Sequence, residues 1–181
     1  VELARSALQA AEIAQEIPGE MSASEYYSVA LALLYSTSLD RVPMLLEQGI
    51  ERAENPNEHT ALLRLYGSFL MNSGEVSKGR SMLEKALSVW DKYPNTVEYY
   101  RKQTNGYTEL FWAQTEYAVR NLEATKEHLR KASEIADSLP QGPATTQFAE
   151  QLNYFKLQVD QGNLMLPAAI PIPDSPEQDT R

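Results

Sequence analysis

The chain has no cysteine, two histidines and no long apolar run, and each shortage excludes a class of chemistry. Without cysteine there is no disulfide framework, no thiolate metal site and no cysteine nucleophile. The absence says little about compartment. The histidines, His59 and His128, stand in neither a His-x-x-x-His nor a Glu-x-x-His pattern of the kind that loads zinc on a helix. His59 falls at a loop–helix junction and His128 lies beside Leu129 on a helix, so both read as solvated or capping residues. No Gly-rich phosphate loop and no G-x-S-x-G element occurs. No stretch approaches the roughly 18 apolar residues of a membrane span. Basic residues are also scarce: 16 Lys and Arg stand against 25 Asp and Glu, for a net charge of −9. That balance disfavours a nucleic-acid partner. The carboxylates scatter along helical faces, where Glu123 and Glu127 with Lys126 and Arg130 suit i,i+4 pairing rather than an isolated acid–base pair. The expectation is a protein without catalysis, cofactor or metal.

What the chain does have is helical period, and no run supports a strand of ordinary length. Residues 1–16 place Leu3, Ala4, Ala7, Leu8 and Ala11 at helical spacing, and Pro18-Gly19 stops them. Ser22 and Glu25 form a Ser-x-x-Glu capping box, with Met21 and Tyr26 at the staple positions. That helix fades at Ser36-Thr37-Ser38. Asp40 is the expected cap of the next helix, with Pro43 in its first turn. Asn55-Pro56-Asn57 ends it. Residues 61–91 form the best hairpin pattern, two amphipathic stretches meeting at Asn72-Ser73-Gly74. Lys92-Tyr93-Pro94 breaks the pattern, and Asn95 with Glu98 suits another capping box. Asn105-Gly106 either divides two helices or lies inside one long helix that starts near Thr96, and the second reading keeps Tyr99, Gln103, Leu110 and Gln114 on related faces. Residues 121–138 are helical. Phe148, Leu152, Phe155 and Val159 then make a single stripe, ended by Gly162. The tail, 163–181, is Pro-rich and expected to be extended or disordered.

The hairpins share a register. Ala30 and Gly49, Gly67 and Ala86, and Ala113 and Ala132 are each 19 residues apart. Successive hairpins are offset by 37 and then 46 residues. Small residues sit where two helices would cross, with large apolar ones around them. This resembles the tetratricopeptide repeat, a helix–turn–helix unit of about 34 residues. Gly67, Leu70, Gly79, Leu83 and Ala86 match its small and bulky positions in the middle hairpin. Ala30, Leu33, Val42, Leu46 and Gly49 match in the first, although Val42 is large for its place. Ala113, Thr125, Leu129 and Ala132 match in the third. There Glu116 occupies an apolar position and Trp112 crowds the one before.

The resemblance implies an all-α right-handed superhelix of antiparallel hairpins. Residues 1–17 would be the second helix of a truncated repeat, 22–55, 58–92 and 96–138 three repeats, and 144–162 a capping helix. A start at Val1 in mid-pattern reads as an array excised from a longer protein, so a targeting signal could precede it and a cytoplasmic or periplasmic setting stays open. First helices of the family line a concave surface that takes extended peptides or partner helices. Carried over, the groove residues are Tyr27, Leu31, Leu34 and Tyr35, then Arg64, Ser68, Met71 and Asn72, then Leu110, Gln114 and Tyr117. The competing reading packs the apolar ones against neighbouring helices. Only Arg64 is basic there, which argues against the carboxylate clamp of the chaperone-binding subset. Tyr99, Tyr100, Tyr107 and Phe111 form a second candidate patch. The expected function is a scaffold for a protein or peptide, with homo-oligomerisation through the apolar tail a further possibility. The alternatives are a sensor for a short peptide or small ligand and a regulatory domain of a larger enzyme.

Overall fold

The computed structural model describes residues 21–35, 39–94 and 97–162. The expected helix at 1–17, the Pro-rich tail and Asn95 lie outside them. The described residues are helical, with no strand among them. In order they form α1 (Ala23–Leu34), a 3₁₀ turn (Leu39–Arg41), α2 (Val42–Arg52), α3 (Pro56–Asn72), α4 (Val76–Ser88), a second 3₁₀ turn (Val89–Lys92), α5 (Glu98–Ala118), α6 (Leu122–Ser138) and α7 (Pro143–Asp160). The chain divides into two compact units, Val1–Thr96 and Val97–Arg181.

Helix starts follow local chemistry. Ser22 caps α1 through the expected box: its Oγ accepts from the Glu25 N–H, and the Glu25 carboxylate accepts from the Ser22 N–H at 2.7 Å. Those hydrogen bonds hold the exposed Glu25 carboxyl below its usual pKa. Asn55 caps α3, its Oδ1 accepting from the Glu58 N–H at 3.0 Å, while Pro56 takes the first position, where no backbone donor is needed. One expected cap is corrected. Asp40 lies in the first 3₁₀ turn, and Arg41 begins α2 without a side-chain cap. Val97 begins α5 without a side-chain cap of its own, and the expected Asn95–Glu98 box falls on a position outside the described residues.

In the first unit α1 packs on α2, α3 on α4, and α3 also touches α1 and α2. The core holds Ala30, Leu33, Val42, Leu45 and Leu46 against Leu62, Leu65, Tyr66 and Leu70. The α3–α4 crossing is close. A Cβ on Gly79 would lie 2.4 Å from Met71 Cγ and 2.5 Å from the Gly67 carbonyl oxygen, and one on Gly67 would lie 2.8 Å from Leu83 Cγ. Gly67 meets Leu83 while Met71 meets Gly79, so the helices run antiparallel.

In the second unit α5 pairs with α6, and α7 packs on both. Gly106 lies inside α5, which is one continuous helix of 21 residues. A Cβ there would lie 2.8 Å from the Phe148 ring and 3.1 Å from Ile135 Cγ2, which explains a glycine in mid-helix despite its cost of about 1 kcal/mol relative to alanine. Phe148, Leu152, Phe155 and Val159 are the buried residues of α7, the stripe expected of them. Tyr107 packs on Phe148 at 4.7 Å and Tyr117 on Phe155 at 5.8 Å, so α7 runs in the direction of α5.

All six small register residues are buried. The turns repeat as well. Gly74 (φ 91°) and Arg120 (φ 62°) are both left-handed. At each, two hydrogen bonds close a Schellman end: Gly74 N–H to Met71 O with Glu75 N–H to Leu70 O, and Arg120 N–H to Tyr117 O with Asn121 N–H to Glu116 O. The two turns are 46 residues apart, the separation of Gly67 and Ala113. Arg120 bears the Cβ strain that glycine avoids at position 74.

Replacing Gly79 by Ala should force α3 and α4 apart, because the nearest atoms include backbone that cannot rotate away. The expected loss is about 2 kcal/mol or more, outweighing the roughly 1 kcal/mol gained in helix propensity. Urea unfolding followed by circular dichroism measures it; a Gly79→Ala protein as stable as the parent would contradict the crossing described.

Candidate functional site

The first-unit positions expected to line a groove come from α1 and α3. Tyr27, Leu31 and Leu34 are half-buried against the core, and Tyr35, at the end of α1, is 65% exposed. Burial raises the Tyr27 hydroxyl above its ordinary pKa, and the Arg64 guanidinium opposes that rise. Arg64 on α3 thus lies within electrostatic reach of Tyr27 on α1. Asn72 is exposed and donates from Nδ2 to the Ser68 carbonyl at 2.8 Å and to Ser68 Oγ at 3.3 Å. Three expectations change. Met71 is 1% exposed beneath Gly79, and Arg64 and Ser68 are also buried, so none of them offers open surface.

In the second unit Leu110 is fully buried and belongs to the core rather than to a binding face. Tyr117 is half-buried edge-on to Phe155. Gln114 is half-buried, and its Oε1 is buried without a hydrogen-bond partner among the described residues. The aromatic patch separates likewise. Tyr107 is core, whereas Tyr99 and Tyr100 meet edge-to-face at 5.4 Å, with Tyr100 exposed and Phe111 half-buried.

Sequence reasoning missed a polar cluster between α5 and α6. His128 is neither solvated nor capping: it is 7% exposed, and its Nδ1 lies 2.6 Å from Glu109 Oε2, itself on a 6% exposed residue. The Trp112 ring stacks on the imidazole at 4.1 Å and 20°. Its Nε1–H then donates to Glu116 Oε1 at 3.0 Å. Glu116 and Trp112, the two departures from the apolar pattern, are thus partners. The signal was present, since Thr125, His128, Leu129 and Ala132 share one helical stripe, as do Gly106, Glu109, Leu110, Ala113 and Glu116. The pair is buried in the packing between α5 and α6.

A third arrangement lies in the first unit, in a cleft of about 340 Å³ between α2, α3 and α4. Tyr66 lines it and donates its hydroxyl to Glu47 Oε1 at 2.6 Å. Burial, then the Glu47 bond and charge, push the Tyr66 pKa up to about 12. His59, also lining the cleft, is held below its usual value by burial and by Lys92.

Among the described residues no group of three or more His, Asp or Glu side chains is disposed to hold a metal, and no helix is long and apolar enough to cross a membrane. Comparison with protein-family models, curated proteins and solved structures found no match.

Removing one member of the buried pair strands the other. Glu109→Leu or His128→Leu alone should cost about 3–5 kcal/mol, while the double replacement should recover part of that loss. A double-mutant cycle in urea that gave no coupling would refute the pairing. Tyr66 makes a separate prediction. Its folded-state pKa of about 12 exceeds the ordinary value of 10.0, so its contribution is complete below pH 10 and is lost as pH rises through 12. Stability should fall over that window, with tyrosinate absorbance rising late. Tyr66→Phe should remove that part of the slope.

Proposed function

We propose that this chain is a helical-repeat scaffold of the tetratricopeptide type that binds a peptide or partner segment and performs no catalysis itself. The shared register of six buried small residues and the recurrence of the Schellman turn support the repeat reading. One observation carries the binding reading. Along α1, Tyr27, Leu31, Leu34 and the largely exposed Tyr35 form an incompletely covered apolar edge, with the Asn72 amide of the neighbouring helix also exposed. Aromatic side chains beside an amide suit an extended segment, since the rings supply contact area and the amide can bond a peptide backbone.

Selection of a random-peptide library on the intact chain tests this, with Tyr35→Ser/Asn72→Ala as counter-screen. Both positions are exposed, so the double variant should keep its melting temperature. Selected peptides should bind it about tenfold more weakly or worse. Equal binding to both proteins would place the peptide site elsewhere.

A further inference from the structure

The cleft between α2, α3 and α4 is independent of the α1–α3 face, and its chemistry is unlike that of a peptide groove. Its floor is apolar and fixed. Leu63 and Val89 are 4% and 2% exposed and belong to a packed cluster with Ala86 and Trp90, flanked by Ile50 and Met82. A floor held by core packing exists before any ligand arrives.

The walls carry opposite charges. On α2, Glu47 and Glu51 are one turn apart and face the cleft together. Glu47 is oriented by the Tyr66 hydroxyl, which occupies one carboxylate oxygen. On the opposite side, α4 contributes Lys85 and Ser88, and the following 3₁₀ turn contributes Lys92. Among the described residues neither lysine forms an ion pair, and none spans the cleft. Elsewhere several exposed charges pair within their own helix, as Arg130 does with Glu127 and Glu134 and as Lys102 does with Glu98. Here two acids and two bases line one cavity and remain apart. His59 stands near Lys92 with its imidazole held towards the neutral form, so it adds a hydrogen-bonding group to the basic side without a further charge.

We propose that this cleft binds a small zwitterion with an apolar body, of the size of a dipeptide with both ends free. The ligand ammonium meets Glu47 and Glu51, its carboxylate meets Lys85 and Lys92, and its side chains rest on Leu63 and Val89. A cavity of about 340 Å³ lies at the lower end of the range for small-molecule sites. An extended dipeptide spans about 7 Å, enough to present its two ends to two different walls.

Isothermal titration of the intact chain with leucyl-leucine is the test, with N-acetylated leucyl-leucine amide as the uncharged control. Saturable binding of the free dipeptide, weakened about tenfold or more by either Glu51→Gln or Lys92→Gln, is expected. Both side chains are exposed, and unchanged melting temperatures confirm that the variants are folded. Absence of binding by the free dipeptide at millimolar concentration overturns the proposal. So does equal binding of the blocked peptide, or indifference to both substitutions. Tyr35→Ser/Asn72→Ala should leave this titration unchanged, so the cleft and the α1–α3 face are tested separately.

Discussion

The first unit depends on how closely α3 can approach α4. At Gly79 there is less room than a methyl group needs, with a backbone carbonyl on one side and Met71 on the other. That approach lets Leu83 lie over Gly67 and puts Met71 and Leu83 in the interior. It also fixes the position from which α4 runs on into its 3₁₀ turn, and so where Val89, Trp90 and Lys92 fall. The cleft floor and its basic wall are consequences of a crossing two to three turns away along α4. A methyl at that crossing would act on the site without touching it.

The second unit solves the same problem with different material. Its crossing residues are Ala113 and Ala132, and directional polar contacts supplement the fit of small side chains. A chain of contacts runs from Glu109 through His128 and Trp112 to Glu116. Buried groups of this kind are poor sources of net stability, because their desolvation offsets most of the attraction. What they add is intolerance of error. A slip of α6 along α5 by one residue would part the Glu109 carboxylate from the His128 imidazole, whereas a slipped leucine finds another leucine. The polar pair therefore narrows the choice of register in a hairpin whose close glycine contact, Gly106 on Ile135, lies against a side chain rather than backbone.

Much of the helical order was legible because it rests on local rules. The Ser22–Glu25 box, the proline after Asn55 and the stripe from Phe148 to Val159 depend on residues within a few positions of one another. The rest depended on residues far apart in the chain. Gly106 reads as a possible break until Phe148, 42 residues later, is seen against it. His128 reads as a surface residue because histidine usually is one; its place on the buried stripe with Leu129 and Ala132 was the stronger signal. Glu116 reads as a flaw in the pattern until the Trp112 indole is found bonded to it. Asp40 shows the converse. It is a good cap by type, but the α-helix began one residue further on, at Arg41.

Burial also reorders the candidate binding residues, for a reason that lies in the position of α3. This helix touches α1, α2 and α4, and 11 of its 17 residues are buried. A helix enclosed on most sides has little face left for a partner, whatever its side chains would suit. Arg64, Ser68 and Met71 are therefore better placed to support α1 than to meet a ligand first. Arg64 acts on the Tyr27 hydroxyl, and Ser68 holds the Asn72 amide. Among the described residues α1 has fewer neighbours than α3 and keeps what α3 loses. Tyr35 stands at the C-terminal end of α1, where helical packing no longer covers it, and Leu34 precedes it at the margin of the core. Within the first unit this division follows from packing: the enclosed helix holds the core, and the end of α1 retains exposed apolar area.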